Sequence, residues 1–373
     1  MGTYRTFEPY SKLQFSSLST SSKSNPFLKS IFSIPSLDNS RLAWIDYAKG
    51  ISITMIIFRH VTFGLAQQPG VVLDDPFLEL VDQIGLTFRM PLYFMLSGIF
   101  FTRSFEKRGL GGYTIHKLKS IMYPYSVWYL SLMLIQLSLS SYVNAQYSTA
   151  YDFLRFFYNP WGHWWFLYAL FGVSILYLLL FAITKGQKWI LIGLGIGASY
   201  LAYLQGDTYI FDDILKLFVF FAFGDLIARY ATTDEVMHRF SRLQYLIPII
   251  MLAIAGEILL FGTLRNSVLA NILFAFVGVV CASLLCYRLA KSDSKWLGIL
   301  RLLGQHSLYI YLLHPFTNGA VRTVLYRVLN VDNTSILIAT GFIAGLLGPI
   351  VVFRILSYFK LGFLFYPSFK KTS

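Results

Sequence analysis

The chain is poor in charge. Of its 373 residues only 13% are Asp, Glu, Lys or Arg, about half the share of an ordinary soluble domain. Cysteine is scarcer still. Cys281 and Cys286 lie five apart in an apolar run, a spacing that offers neither a disulfide framework nor a metal site and reads as packing. The first 40 residues are Ser-rich, with Pro26 and Pro35, and lack an apolar core followed by a small-residue cleavage site, so no signal peptide is expected. Acid is scarce as well, with 18 Asp and Glu against 31 Lys and Arg and a net charge of +13. There is no sequence repeat and no stretch long enough for a separate soluble domain.

What is present is apolar surface: 56% hydrophobic residues, 18% aromatic ones and a mean hydropathy of +0.58. Runs of about 20 apolar residues, each long enough to cross a bilayer, recur through the chain. The expected fold is all-α, a polytopic membrane helix bundle. Its ten spans fall near 43–66, 84–102, 120–139, 164–184, 189–204, 211–230, 244–262, 268–289, 306–324 and 335–357. With the N-terminus inside, the cytoplasmic segments hold 24 of the 31 Lys and Arg, the bias that orients membrane proteins. Both termini are then cytoplasmic, and the basic charge follows topology, with no nucleic acid implied. The organisation expected is a flexible tail at 1–40, a transmembrane domain at 41–358 and a cytoplasmic tail at 359–373.

Residues 41–66, RLAWIDYAKGISITMIIFRHVTFGLA, carry the strongest chemical signal. A charged group in a spanning helix is costly, yet this one holds Asp46, Lys49, Arg59 and His60. Lys49 and His60 are eleven residues apart, close to three turns, so they share a helix face with about 16 Å between them along the axis. Asp46, one turn before Lys49, is placed to pair with it or orient it. Arg59 turns away from that stripe.

Four ordered segments between 41 and 316 together resemble the acyltransferase-3 family of membrane acyltransferases. The first helix reads I-D-Y-A-K-G then F-R-H, with Lys49 and His60 matching the family's basic residue and histidine ten residues further on. The second reads TFRMPLYFMLSGIFF, with Arg89 where relatives often have His before M-P, and with Pro91 expected to kink or break the helix. The third is WGHWWFLYALF, matched by Trp164, Trp165, Phe166 and Leu167. The fourth is LLGQHSLYIYLLHPF, where Gly304, Ser307, Tyr311 and His314 match; the last three lie on one helix face. The R-x-x-R pair common in the family has no counterpart in the basic segment 103–119, expected to be a flexible turn at Gly109, Gly111 and Gly112; Lys117 and Lys119 are the nearest equivalents. Many relatives also carry an extracytoplasmic hydrolase-like domain, for which this sequence has no segment.

The resemblance implies O-acyl transfer, most simply of acetyl, from cytosolic acyl-CoA to a hydroxyl of a cell-envelope glycan or its lipid-linked precursor, in a bacterial inner membrane and with no metal. Such a transfer needs a base, a polarised carbonyl and a donor held in register. His60 is the candidate base. Lys49, Arg103, Lys117 and Lys119 are candidates for the phosphates of coenzyme A, with the pantetheine arm bridging to His60; for 103–119 topology alone is the other reading. Arg89 is a candidate for the oxyanion, or a partner of Asp46 or Glu257. Asp46 is a candidate catalytic-site group that pairs with or orients Lys49, and His314 is a candidate orienting or proton-relay group, with packing the alternative. Trp164, Trp165, Ser307, Tyr311 and Glu257 are candidates for the acceptor or acyl pocket, although an interfacial aromatic belt also accounts for the tryptophans. His116, His163, His238 and His306 receive no role, and self-association of the chain is left open. The rival from another class is a proton-coupled transporter or channel that uses the same buried charges.

Overall fold

The computed structural model describes residues 42–68, 71, 73–138, 151–160, 162–205, 210–264, 266–292 and 297–367. The expected tail at 1–40 lies outside them. The described residues form helices and connecting turns: α1 Ala43–Ala66, α2 Pro76–Gln83, α3 Arg89–Ile99, α4 Phe101–Lys117, α5 Tyr123–Ser138, α6 Tyr151–Tyr158, α7 Trp165–Ile183, α8 Lys188–Gln205, α9 Ile210–Ala231, α10 Asp234–Phe240, α11 Leu243–Phe261, α12 Val268–Ala290, α13 Leu297–Gln305, α14 Ser307–Arg322 and α15 Thr334–Tyr358. Helix runs through each of the ten segments expected to span. By length and composition, four helical stretches are fit to cross a membrane among the described residues: Phe153–Ile183, Leu243–Phe261, Val268–Ala290 and Thr334–Tyr358. The molecule is a helical membrane bundle.

The central helix is α1, which packs against α3, α12, α13, α14 and α15. Two crossings bring backbones into direct contact. At α1 and α13, a Cβ on Gly50 would overlap the Leu300 carbonyl, and one on Gly304 would overlap that of Asp46. At α3 and α9, Gly98 meets the Phe221 carbonyl and Gly224 that of Met95 in the same way. In lipid, where apolar side chains gain little by leaving the solvent, such close approach between small residues is what holds helices together.

Two expectations change. Pro91 does not break α3, because it lies in the first helical turn, where a missing N–H costs nothing. Segment 103–119 is no loose turn. It is mostly helix, interrupted at Gly109 with φ 65° and ψ −179°, and it continues as a π-helical turn through Met122. Its base is anchored by an ion pair: Asp225, wholly buried, accepts from Thr102 Oγ1 at 2.5 Å and Tyr177 Oη at 2.8 Å, and Lys188 Nζ lies 3.1 Å away. Beyond α15 the chain packs back on the bundle. Phe365 is fully buried, its ring 5.1 to 5.2 Å from those of Trp128, Tyr309 and Phe353.

Candidate active site

Three histidines from three helical elements meet beside α1. The His60 ring stacks on that of His314 with centroids 5.2 Å apart, and meets His163 edge-on at 5.8 Å. The third side of the triangle, His163 to His314, is 4.8 Å. His314 is held by its own helix, with Nδ1 2.8 Å from the Tyr311 carbonyl and 3.1 Å from that of Ile310. That contact directs the other nitrogen, Nε2, away from the α14 backbone. His163 stands in a 3-10 turn, Gly162–Trp164, that leads into α7. Its backbone carbonyl accepts from the Tyr311 hydroxyl, while its buried Nε2 meets no partner. Among the described residues, no group of three or more metal-ligating side chains is arranged to hold a metal.

Of these three, sequence reasoning passed over His163. The clue was one position before the matched Trp164, but its meaning depends on a loop turning inward, which no local pattern encodes. Trp164 is buried with its indole N–H unpartnered and its ring near those of His163, at 4.4 Å, and Tyr311, at 6.3 Å. It is part of the bundle interior. Trp165 is half-buried and packs on Phe166.

Arg89 is buried, and its Nη1 lies 3.4 Å from a carboxylate oxygen of Asp82, which also pairs with Arg59. The expected partner Asp46 is elsewhere. Glu257, the other expected partner, accepts a hydrogen bond from Thr87 at 2.5 Å, and its charge acts on Arg89.

Asp46 does not pair with Lys49. Its carboxylate accepts from Gln305 Nε2 at 3.0 Å and lies 3.6 Å from Arg301 Nε, at the same crossing where Gly50 meets Gly304. Lys49 belongs to a cluster of cations: burial together with Arg108 and Lys49 pushes the Lys117 ammonium down to about 8. Burial, with the charges of Arg108 and Lys117, pushes neighbouring His116 down to about 4. Arg103 and Lys119 are exposed. Arg108, on the first arm of α4, was not among the expected binding residues.

Between the two ends, the α1 face carries Ser52, Ile53 and Ile56, all buried. Tyr93 bridges from α3, its hydroxyl donating to the Lys49 carbonyl at 3.1 Å. Its ring is 5.3 Å from that of Phe166, which is 5.3 Å from that of Tyr311. The seam from Lys49 to His60 is therefore lined by hydroxyl-bearing and aromatic groups, with Ile53 and Ile56 buried within it.

The described residues thus define a helical membrane bundle with three imidazoles gathered together and cations clustered near one end of α1. The particular kind follows from comparison: a family model described as an acyltransferase domain matches residues 42–355, and the chain belongs to this acyltransferase-3 family. Comparison with curated proteins and with solved structures returns no match.

Proposed function

We propose that the protein is an O-acyltransferase that moves an acyl group, most simply acetyl, from acyl-CoA to a hydroxyl of a cell-envelope glycan or its lipid-linked precursor. The observation that carries this reading is the His60, His163 and His314 cluster inside a bundle belonging to the acyltransferase-3 family. His60 takes the proton from the acceptor hydroxyl, and the oxygen attacks the thioester carbonyl. The tetrahedral intermediate collapses with loss of the coenzyme A thiolate, which is protonated on leaving. His314 and His163 orient the base and pass its proton on. Arg89, with a charge that reaches His60, faces the developing oxyanion.

Lys49, Arg108 and Lys117 hold the donor phosphates, and the pantetheine arm threads the seam once Ile53 and Ile56 part. No resident metal enters the scheme. All ten spans cross a bacterial inner membrane with both termini in the cytoplasm, so donor and acceptor approach from opposite sides. Purified protein given acetyl-CoA labelled in the acetyl group tests this: labelled ester on a glycan acceptor supports it, and a transporter yields none.

A further inference from the structure

Seven of the 31 Lys and Arg fall outside the segments expected to be cytoplasmic. Four of them are Arg59 near the end of α1 remote from Lys49, Arg89 at the start of α3, Arg322 at the end of α14 and Arg327 in the turn beyond it. Cations placed against the orienting bias of a membrane protein need a local reason. For Arg59 and Arg89 that reason is Asp82, which pairs with both. Arg322 has none. It is half-buried, and among the described residues it makes no hydrogen bond and has no carboxylate partner; the charge that acts on it is Arg327, of like sign.

Its position is defined from two helices. On α14, His314 is followed at i+4 and i+8 by Asn318 and Arg322, so the polar face of Ser307, Tyr311 and His314 runs on toward the helix end. On α1, the Arg322 guanidinium lies against Gly64, where a Cβ would overlap its Nη1. Gly64 is one turn beyond His60 on nearly the same face, about 6 Å along the axis. A planar fork of donors is thus held one turn from the imidazole cluster, on the side opposite the donor cations. Guanidinium recognises carboxylate and phosphate in two-pronged fashion.

We propose that Arg322 binds an oxyanion of the incoming acceptor, so that the preferred acceptors carry a carboxylate or a phosphate close to the hydroxyl that is acylated. The inference rests on the acyl-transfer reading only in calling this ligand the acceptor. The anion site itself rests on Arg322 and Gly64.

Direct binding to the full chain in detergent tests it, with two matched pairs of probes: trigalacturonate against its methyl ester, and farnesyl phosphate against farnesol. The charged member of one pair binds wild type roughly tenfold to a hundredfold more tightly than its neutral partner; the first pair responding marks an acidic sugar, the second a phosphate carrier. Arg322→Ala abolishes that preference and Arg322→Lys retains part of it. Gly64→Ala, which displaces the guanidinium while leaving its charge, weakens it as well. Equal binding within both pairs, or a preference that survives in Arg322→Ala, overturns the proposal. Acetyl-CoA consumption by the same preparations separates the two readings. A charge preference without consumption keeps the anion site and removes the acyl-transfer reading, whereas consumption without a charge preference does the reverse.

Discussion

His60 has two imidazoles for neighbours, and its place among them decides what its substitution should do. His60→Gln keeps a polar side chain and the helix but removes the base, so transfer falls by roughly 10²–10⁴ while acetyl-CoA affinity, set at the far end of α1, stays unchanged. His163→Gln leaves the base in place and should shift the pH profile of turnover as well as lower it; a uniform loss at every pH would make His163 a packing residue. Lys117 allows a sharper test. With its ammonium held down to about 8 by burial, Arg108 and Lys49, it is mostly charged at pH 7 and loses its charge well below the usual lysine range. A bound phosphate favours the protonated form. Donor affinity is therefore full below about pH 8 and declines as pH rises through it. Lys117→Arg, charged throughout, removes that decline in a titration of acetyl-CoA binding against pH, and a pH-independent wild-type affinity would rule out the contact.

Among the elements, the glycine crossings set what must not change. At Gly304 or Gly98 a methyl group would meet backbone, not a side chain that can swing aside. Gly304→Ala should separate α1 from α13 and cost about 1–3 kcal/mol, read as a lower unfolding temperature in detergent; Gly319→Ala, with open space around it, should not. The seam offers a second test: Ile56→Trp, one turn before His60 on the side toward Lys49, should stop turnover without weakening acetyl-CoA binding. The positions of the helices were legible because apolar runs of spanning length are a property of the chain itself. The family was legible because four segments carry its residues at fixed local spacings. The partners were not. Asp46 and Gln305 are 259 residues apart, and nothing near Asp46 marks the α13 residues over Lys49. His163 needed an inward loop, and Arg322 needed a glycine on another helix. Gly109, expected to loosen a turn, instead kinks a helix whose base is fastened to Asp225.

At the scale of the whole molecule the two ends of α1 differ in kind. One end gathers Lys49, Arg108 and Lys117; the other has Arg59 and Arg89 paired with Asp82, and Arg322 beyond them. The imidazoles lie beside Arg59, short of Arg322 by about one turn of α1. The account is of a thioester entering from one side and a hydroxyl from the other, meeting at His60. The most direct measurement uses purified protein in sealed proteoliposomes, with acetyl-CoA labelled in the acetyl group supplied on the face bearing Lys49 and a glycan acceptor on the opposite face. The account predicts labelled ester on the acceptor across the membrane for wild type and almost none for His60→Gln, with acetyl-CoA binding equal in the two. Ester formed equally well by His60→Gln, or formed only when donor and acceptor share a side, would contradict it.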